Sequence, residues 1–257
     1  MALLEVIGVE RSFYGVHALC GVDLKVEAGR ITGLIGPNGA GKTTLFNCIS
    51  GVVPPDRGRI LFTGRDIAGL RPDEVSARGL VRTFQIARGL PRLSVLDNLL
   101  LYGGQQPGER MLPALLASPA ARRRERELID RAVSIARRLN LMPVVRNPAS
   151  DLSGGQKKLL EIGRALMSDP KLILLDEPVA GVNPALATEI GEHLKALVGE
   201  GITVLLIEHH MDVVARLCDQ VVVMAEGRHL AEGSFAQMAA DPRVQAAYMG
   251  RRRAAVA

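Results

Sequence analysis

The sequence predicts an α/β fold, with helices alternating with buried strands around a parallel sheet. Three observations carry that expectation. Beyond residue 154, apolar runs of strand length alternate with amphipathic segments of helix length. Residues 1–60 read instead as short strands separated by glycine turns. Between these halves, residues 87–151 are rich in arginine and helical in period, and read as an inserted helical subdomain.

Taken in order, residues 3–9, 22–26 and 30–35 alternate or run apolar, with Gly15, Gly21 and Gly29 as punctuation. Residues 42–50 form a helix stopped by Gly51 and the Pro54-Pro55 pair. Residues 103–119, with Gly, Gln and Pro, read as a loop. Residues 121–138 then place Leu128, Ala132, Ile135, Ala136 and Leu139 on one helical face. The many arginines on the other faces read as a solvated surface. Helices over 155–167, 184–198 and 211–218 separate strands over 172–175, 203–207 and 220–224. Buried strands joined through helices imply parallel pairing with crossover connections.

Composition narrows the class. With 257 residues, of which 47% are hydrophobic and 23% charged, the chain has the balance of a globular protein and not of a disordered one. Cys20, Cys48 and Cys218 are scattered and odd in number, which argues against a disulfide framework or a zinc site. At 3% aromatic residues and no tryptophan, a nucleic-acid surface of stacked rings is not expected. The apolar runs fall far short of the ~18–20 residues that span a bilayer, and the first ten residues lack the pattern of a secretory signal. A cytosolic chain, soluble by itself, is the expectation. The net charge of +5 permits an anionic partner and selects none.

The chemistry begins at Gly36-Pro37-Asn38-Gly39-Ala40-Gly41-Lys42-Thr43-Thr44, which fits G-x-x-x-x-G-K-[ST] between a strand and a helix. Glycines let the backbone curl so that amides point inward at phosphate oxygens. The opening helix adds its unpaired N–H groups and positive dipole end. Lys42 brings a charge to the β- and γ-phosphates, and Thr43 offers a hydroxyl to Mg²⁺. The apolar strand over 172–175 runs into Asp176 and Glu177. Ligands in open α/β sheets sit beyond the carboxyl ends of strands. Asp176 therefore lands where it can hold Mg²⁺, and Glu177 where it can polarise an attacking water. The strand over 203–207 delivers Glu208, His209 and His210 to the same edge, and by spacing any of them competes for contact with a γ-phosphate.

Leu152-Ser153-Gly154-Gly155-Gln156, ahead of Asp176-Glu177, resembles the signature of the ABC transporter ATPases. The resemblance covers essentially the whole chain. It implies a P-loop NTPase (RecA-like) parallel-sheet core with an N-terminal antiparallel β subdomain and an inserted α-helical subdomain. Residues 1–86 and 152–235 would form the nucleotide-binding core, 87–151 the helical subdomain with the signature at its end, and 236–257 a C-terminal tail. The resemblance also implies ATP and Mg²⁺ as ligands. Phe13, or its neighbour Tyr14, sits where the family stacks a ring on adenine. Gln85 matches the glutamine that touches Mg²⁺ and faces the membrane partner. Asn183 stands in a loop that often ends in Asp, and His209 matches the switch histidine. Ser153, Gly154, Gly155 and Gln156 would face the nucleotide held by a second ATPase subunit, self or paralogue, arranged head to tail.

Four stretches resemble the ATPases of branched-chain amino acid importers: Arg82-Thr83-Phe84-Gln85, residues 94–98, Ile207-Glu208-His209-His210-Met211 and the tail from Ala231 to Tyr248-Met249-Gly250. Residues 103–119 resemble an insertion in one of that system's paired ATPases. His210 and Leu90 depart from the family's frequent Asp and Phe. Lipopolysaccharide-export ATPases share the Tyr248-Met249-Gly250 ending, so an exporter is the alternative. A soluble ABC ATPase serving nucleic-acid machinery is a further one, motivated by the basic charge. The implied partners are integral-membrane permease subunits and, indirectly, an extracytoplasmic substrate-binding protein, with no nucleic acid. The implied place is peripheral, on the cytoplasmic side of the cell membrane.

Overall fold

A computed structural model of the chain describes residues 2–83, 90–104 and 119–254. The chain opens with a hairpin, β1 (Ala2–Phe13) and β2 (Val16–Glu27), and then enters β3 (Ile31–Ile35) and α1 (Lys42–Ile49). Next come β4 (Arg57–Phe62), β5 (Arg65–Asp66), α2 (Pro72–Ala77), β6 (Leu80–Arg82) and α3 (Val95–Leu100). A long helix α4 (Pro119–Arg138) and α5 (Gly154–Met167) lead to β7 (Leu172–Asp176), α6 (Pro184–Gly199), β8 (Thr203–Ile207) and α7 (Met211–Leu217). The chain then runs through β9 (Gln220–Ala225), β10 (Arg228–Gly233), α8 (Phe235–Ala240) and α9 (Pro242–Ala254).

Two sheets result. One is antiparallel in the order β2-β1-β4-β5; the other runs β10-β9-β3-β8-β7-β6. Strands β9, β3, β8, β7 and β6 are parallel, and only β10 joins antiparallel. The parallel core follows from sequence, because β3, β7 and β8 are buried along their whole length and only crossovers with helices on both faces can cover them. Alternation then splits each strand between two cores. Leu172, Leu174, Leu205 and Ile207 pack with Leu45, Phe46 and Ile49 of α1 and with Leu4, Val6, Ile60 and Phe62 of the first sheet. Ile173, Leu175, Val204 and Leu206 face the other way, toward Leu128 and Ala132 of α4, Leu159 and Ile162 of α5, and Ile190 and Leu194 of α6. Helix α1 is thus held between the two sheets.

The apolar face expected over 121–138 is the one α4 buries. Some of its arginines act structurally: Arg131 donates to the Leu166 carbonyl at 2.7 Å, and Arg138 pairs with Glu200 at 2.7 Å. The opening strands are longer than their glycines suggest. Gly21 does not end a strand. It lies inside β2 at φ +82°, where the register with β1 shifts between Val9↔Val22 and Glu10↔Cys20. A bulge absorbs the extra residue without breaking the ladder. Neither β6, only three residues long, nor the half-exposed edge strand β10 is predicted by the apolar pattern.

No disulfide is formed. Burial pushes the Cys48 thiol up to about 11 and the Cys218 thiol up to about 12, so neither is a thiolate near neutrality. At pH 8 the native protein should alkylate at neither site, while both should label in denaturant. Peptide mapping after iodoacetamide treatment checks this, and rapid native labelling of Cys218 would contradict its burial.

Candidate active site

The parallel register brings four chain reversals to one sheet edge. Gly36 follows β3, Glu208 and His209 follow β8, Asp176 and Glu177 end and follow β7, and Thr83 follows β6.

At this edge residues 36–41 turn from β3 into α1. Gly36 has φ +147°, and a Cβ there would lie 2.1 Å from the Met224 carbonyl oxygen on β9. Gly41 has φ +97°, and its Cβ would lie 2.5 Å from the Ala18 carbonyl oxygen on β2. Both positions therefore require glycine. The Ala40 amide donates to the Pro37 carbonyl at 3.1 Å, which tightens the curl. No side chain caps α1, so its positive end stays available to an anion. Lys42 is only 6% exposed. Its ammonium donates to the Gly36 carbonyl at 2.7 Å and to the Pro37 carbonyl at 3.0 Å. The cation thus sits on the loop it serves. Asn38, Gly39 and Thr43 are exposed, and Thr44 is half-buried.

Asp176 is buried at the end of β7. Strand alternation sets it on the face of Leu172 and Leu174, which pack against α1. Its Oδ2 accepts from Arg82 Nη2 at 3.2 Å. Arg82 Nη1 also donates to Asn47 Oδ1 at 2.6 Å and to Ser50 Oγ at 3.3 Å, and the guanidinium lies 5.7 Å from the Phe46 ring centroid. Burial pulls the Arg82 guanidinium below its ordinary pKa, and the Asp176 charge opposes that. Sequence reasoning missed this pair. Arg82 was quoted only as the start of a motif, and nothing in its spacing points to Asp176.

Glu177 turns away from the strand at φ +51°, an unusual backbone for a non-glycine residue. Its amide donates to the Ile207 carbonyl at 3.0 Å, and its Oε1 lies 2.8 Å from His209 Nε2. The structure thus separates the three residues that spacing left in competition. Glu208 is fully buried and accepts from the amides of Val179, His209 and His210 at 3.3, 3.1 and 3.3 Å. His210 also packs its Nδ1 3.2 Å from Glu208. Glu208 fixes the turn, and His209 faces Glu177.

Ser153 caps α5 and forms a reciprocal box with Gln156: its Oγ accepts from the Gln156 amide at 3.2 Å, and Gln156 Oε1 accepts from the Ser153 amide at 3.0 Å. Gly154 is exposed with open space where a Cβ would be, whereas a Cβ on Gly155 would fall 1.8 Å from Leu186 Cδ2. Leu186 belongs to the first turn of α6, which Asn183 caps by accepting from the Leu186 amide at 2.9 Å. Lys158 of α5 reaches the Glu177 carbonyl at 3.5 Å.

Phe13 ends β1 with the Arg11 guanidinium 4.8 Å from its ring centroid, and Tyr14 is wholly exposed at the turn. Gln85 lies outside the described residues. Tyr248 on α9, quoted above only as part of a tail motif, reaches the base of the phosphate loop. Burial raises its phenol above the ordinary value, and the Gly36 backbone offsets only part of that. Ile35 and Met211, each adjacent to a site segment, line a groove of about 290 Å³ with Phe235, Met238 and Tyr248.

The chain as a whole is similar to known proteins. Residues 19–180 match the family described as ABC transporter, and residues 228–254 match that described as branched-chain amino acid ATP-binding cassette transporter. The chain is 41% identical over 254 residues to a probable branched-chain amino acid transport ATP-binding protein, LivG, of Methanocaldococcus jannaschii, covering 97% of this chain and 98% of that protein. It is 39% identical over 249 residues to the high-affinity branched-chain amino acid transport ATP-binding protein BraF of Pseudomonas aeruginosa, covering 96% and 98%. A crystal structure of the ADP conformation of an ABC transporter's ATP-binding cassette is 40% identical, with TM-score 0.84, covering 97% of this chain and 99% of that one. A dimeric bacterial ABC transporter cassette is 26% identical, with TM-score 0.73, covering 90% and 98%.

The two signature glycines should respond differently to the same substitution. Gly155→Ala should destabilise by about 1–3 kcal/mol, because Leu186 must shift, whereas Gly154→Ala should leave stability within about 0.5 kcal/mol. Urea unfolding of both variants measures the difference, and equal losses would refute the packing role of Gly155.

Proposed function

The chain belongs to the ABC transporter family of ATP-binding cassettes, and from that premise we propose that it is the ATP-hydrolysing subunit powering a branched-chain amino acid importer. The observation that carries the chemistry is the meeting of the phosphate loop, Asp176 and the 2.8 Å Glu177–His209 contact at one sheet edge. Residues 36–44 wrap the triphosphate with backbone amides, and Lys42 turns its ammonium from the loop carbonyls to the β- and γ-phosphates. Phe13 offers its ring to the adenine. Thr43 and Asp176 form an all-oxygen donor set suited to Mg²⁺, and Gln85 is assigned to the same ion. When bound, the ion offsets charge on the phosphates. Glu177 takes the proton from the attacking water, and His209 holds the carboxylate in orientation and senses the γ-phosphate.

Ser153, Gly154, Gly155 and Gln156 present the start of α5 to the nucleotide of a second cassette, with Asn183 beside that contact. Two nucleotides then hold two cassettes head to tail, and loss of the γ-phosphate releases them. The same reading divides the chain into a nucleotide-binding core (1–86 and 152–235), a helical subdomain (87–151) and a tail (236–257). The partners are membrane permease subunits and, through them, an extracytoplasmic binding protein. Among the described residues no helix is long and apolar enough to cross a membrane, which suits a peripheral place at the cytoplasmic face. The family match over residues 228–254 favours the branched-chain amino acid importer over an exporter.

Lys42→Ala should weaken MgATP binding about 10–100-fold by calorimetry, because a charge-assisted contact is lost. Unchanged affinity would remove the basis of the phosphate-site assignment. Glu177→Gln should slow hydrolysis by about 10²–10⁴-fold and accumulate an ATP-dependent dimer on size exclusion. In vesicles carrying the permease subunits, ATP-driven leucine uptake should stop with Glu177→Gln. Vesicles in which the natural chain drives no uptake of leucine, isoleucine or valine would sink the cargo assignment.

A further inference from the structure

Asp176 is a carboxylate 7% exposed, at a place where a metal arrives only together with nucleotide under the function proposed above. A buried charge without a partner is among the costliest defects in a fold. Arg82 meets it. The side chains of the pair are 9% and 6% exposed, and the contact is 3.2 Å. Register explains the reach. Arg82 pairs with Leu174 across the parallel ladder, and Asp176 lies two residues further along the same face. The guanidinium is held from its other side by Asn47 and Ser50, at the end of the helix that Lys42 and Thr43 begin. One planar group therefore fastens the far end of the phosphate-loop helix to the carboxylate of the neighbouring strand. A lysine ammonium could not bridge the two in the same way.

We propose that Arg82 is a positioning residue that serves as the resident counter-ion of Asp176, holding the carboxylate in place and aimed in the nucleotide-free site. This inference rests on the assignment of Asp176 to the metal. The chain then needs no cation from solution to fold its nucleotide site, and Mg²⁺ meets an oxygen donor already in place. Without Arg82 the carboxylate loses the cation that meets it among the described residues, and the cation that comes with nucleotide takes over that part.

The test is thermal unfolding of the full chain with ADP, in Mg²⁺ and in EDTA. The natural chain should melt higher in Mg²⁺. Arg82→Met should melt about 5–10 °C lower than the natural chain in EDTA and recover much of that loss in Mg²⁺, so that its gap between the two conditions widens. The double variant Arg82→Met with Asp176→Asn removes both charges. It should melt near the natural chain in EDTA and show a Mg²⁺ gap no wider than that of the natural chain. An unwidened gap in Arg82→Met, or a double variant melting as low as the single one, would mean that Arg82 only packs against Phe46 and Asn47, and would overturn the proposal. A natural chain with no Mg²⁺ gap would instead overturn the assignment of Asp176 and this inference with it.

Discussion

Parallel register is the constraint on which the rest depends. Strands β3, β8, β7 and β6 lie side by side and point the same way. Every residue that leaves their carboxyl ends must therefore emerge at one edge. Glycines at 36 and 41, a buried acid at 176 and a histidine at 209 are far apart in sequence and become neighbours for that reason alone. The register is itself secured by burial. Strands that face apolar layers on both sides cannot slip by one residue without exchanging their two cores.

Much of this was legible in the chain. The boundaries of α1, β8 and the helix after Asn183 follow from apolar period and from Gly and Pro punctuation, which act locally. The phosphate loop was legible because its chemistry dictates residue types at fixed offsets. What was hidden depends on tertiary neighbours. Gly21 reads as a turn, yet β1 offers it a bulge. Glu208, His209 and His210 are equivalent in spacing, and only the turn's amides, which claim Glu208, leave His209 to face Glu177. β6 is too short to announce itself, so the arginine at its end was visible as part of a motif but not as the partner of Asp176. The tail motif around Tyr248 was visible as likeness, but its approach to Gly36 required α9 to be placed.

Several residues of the sequence motifs also hold local structure. The Ser153 hydroxyl and the Gln156 amide complete a capping box as well as belonging to the signature. Asn183 keeps the capping function that an aspartate would have there, without the charge. Gly155 is demanded by Leu186, so its conformational freedom is incidental to its packing. Helices α5 and α6 are thereby seated on one another at their first turns, and a displacement of one start is felt at the other.

The resting place of Lys42 has a consequence of its own. Its ammonium is already surrounded by two carbonyl oxygens and is nearly sealed from solvent. The hydration shell of that cation is therefore stripped when the polypeptide folds, and not when a ligand arrives. Under the proposed function, an incoming phosphoryl oxygen would exchange one set of oxygens for another around a dehydrated ion. For that lysine, binding would then be a substitution of partners and not a dehydration.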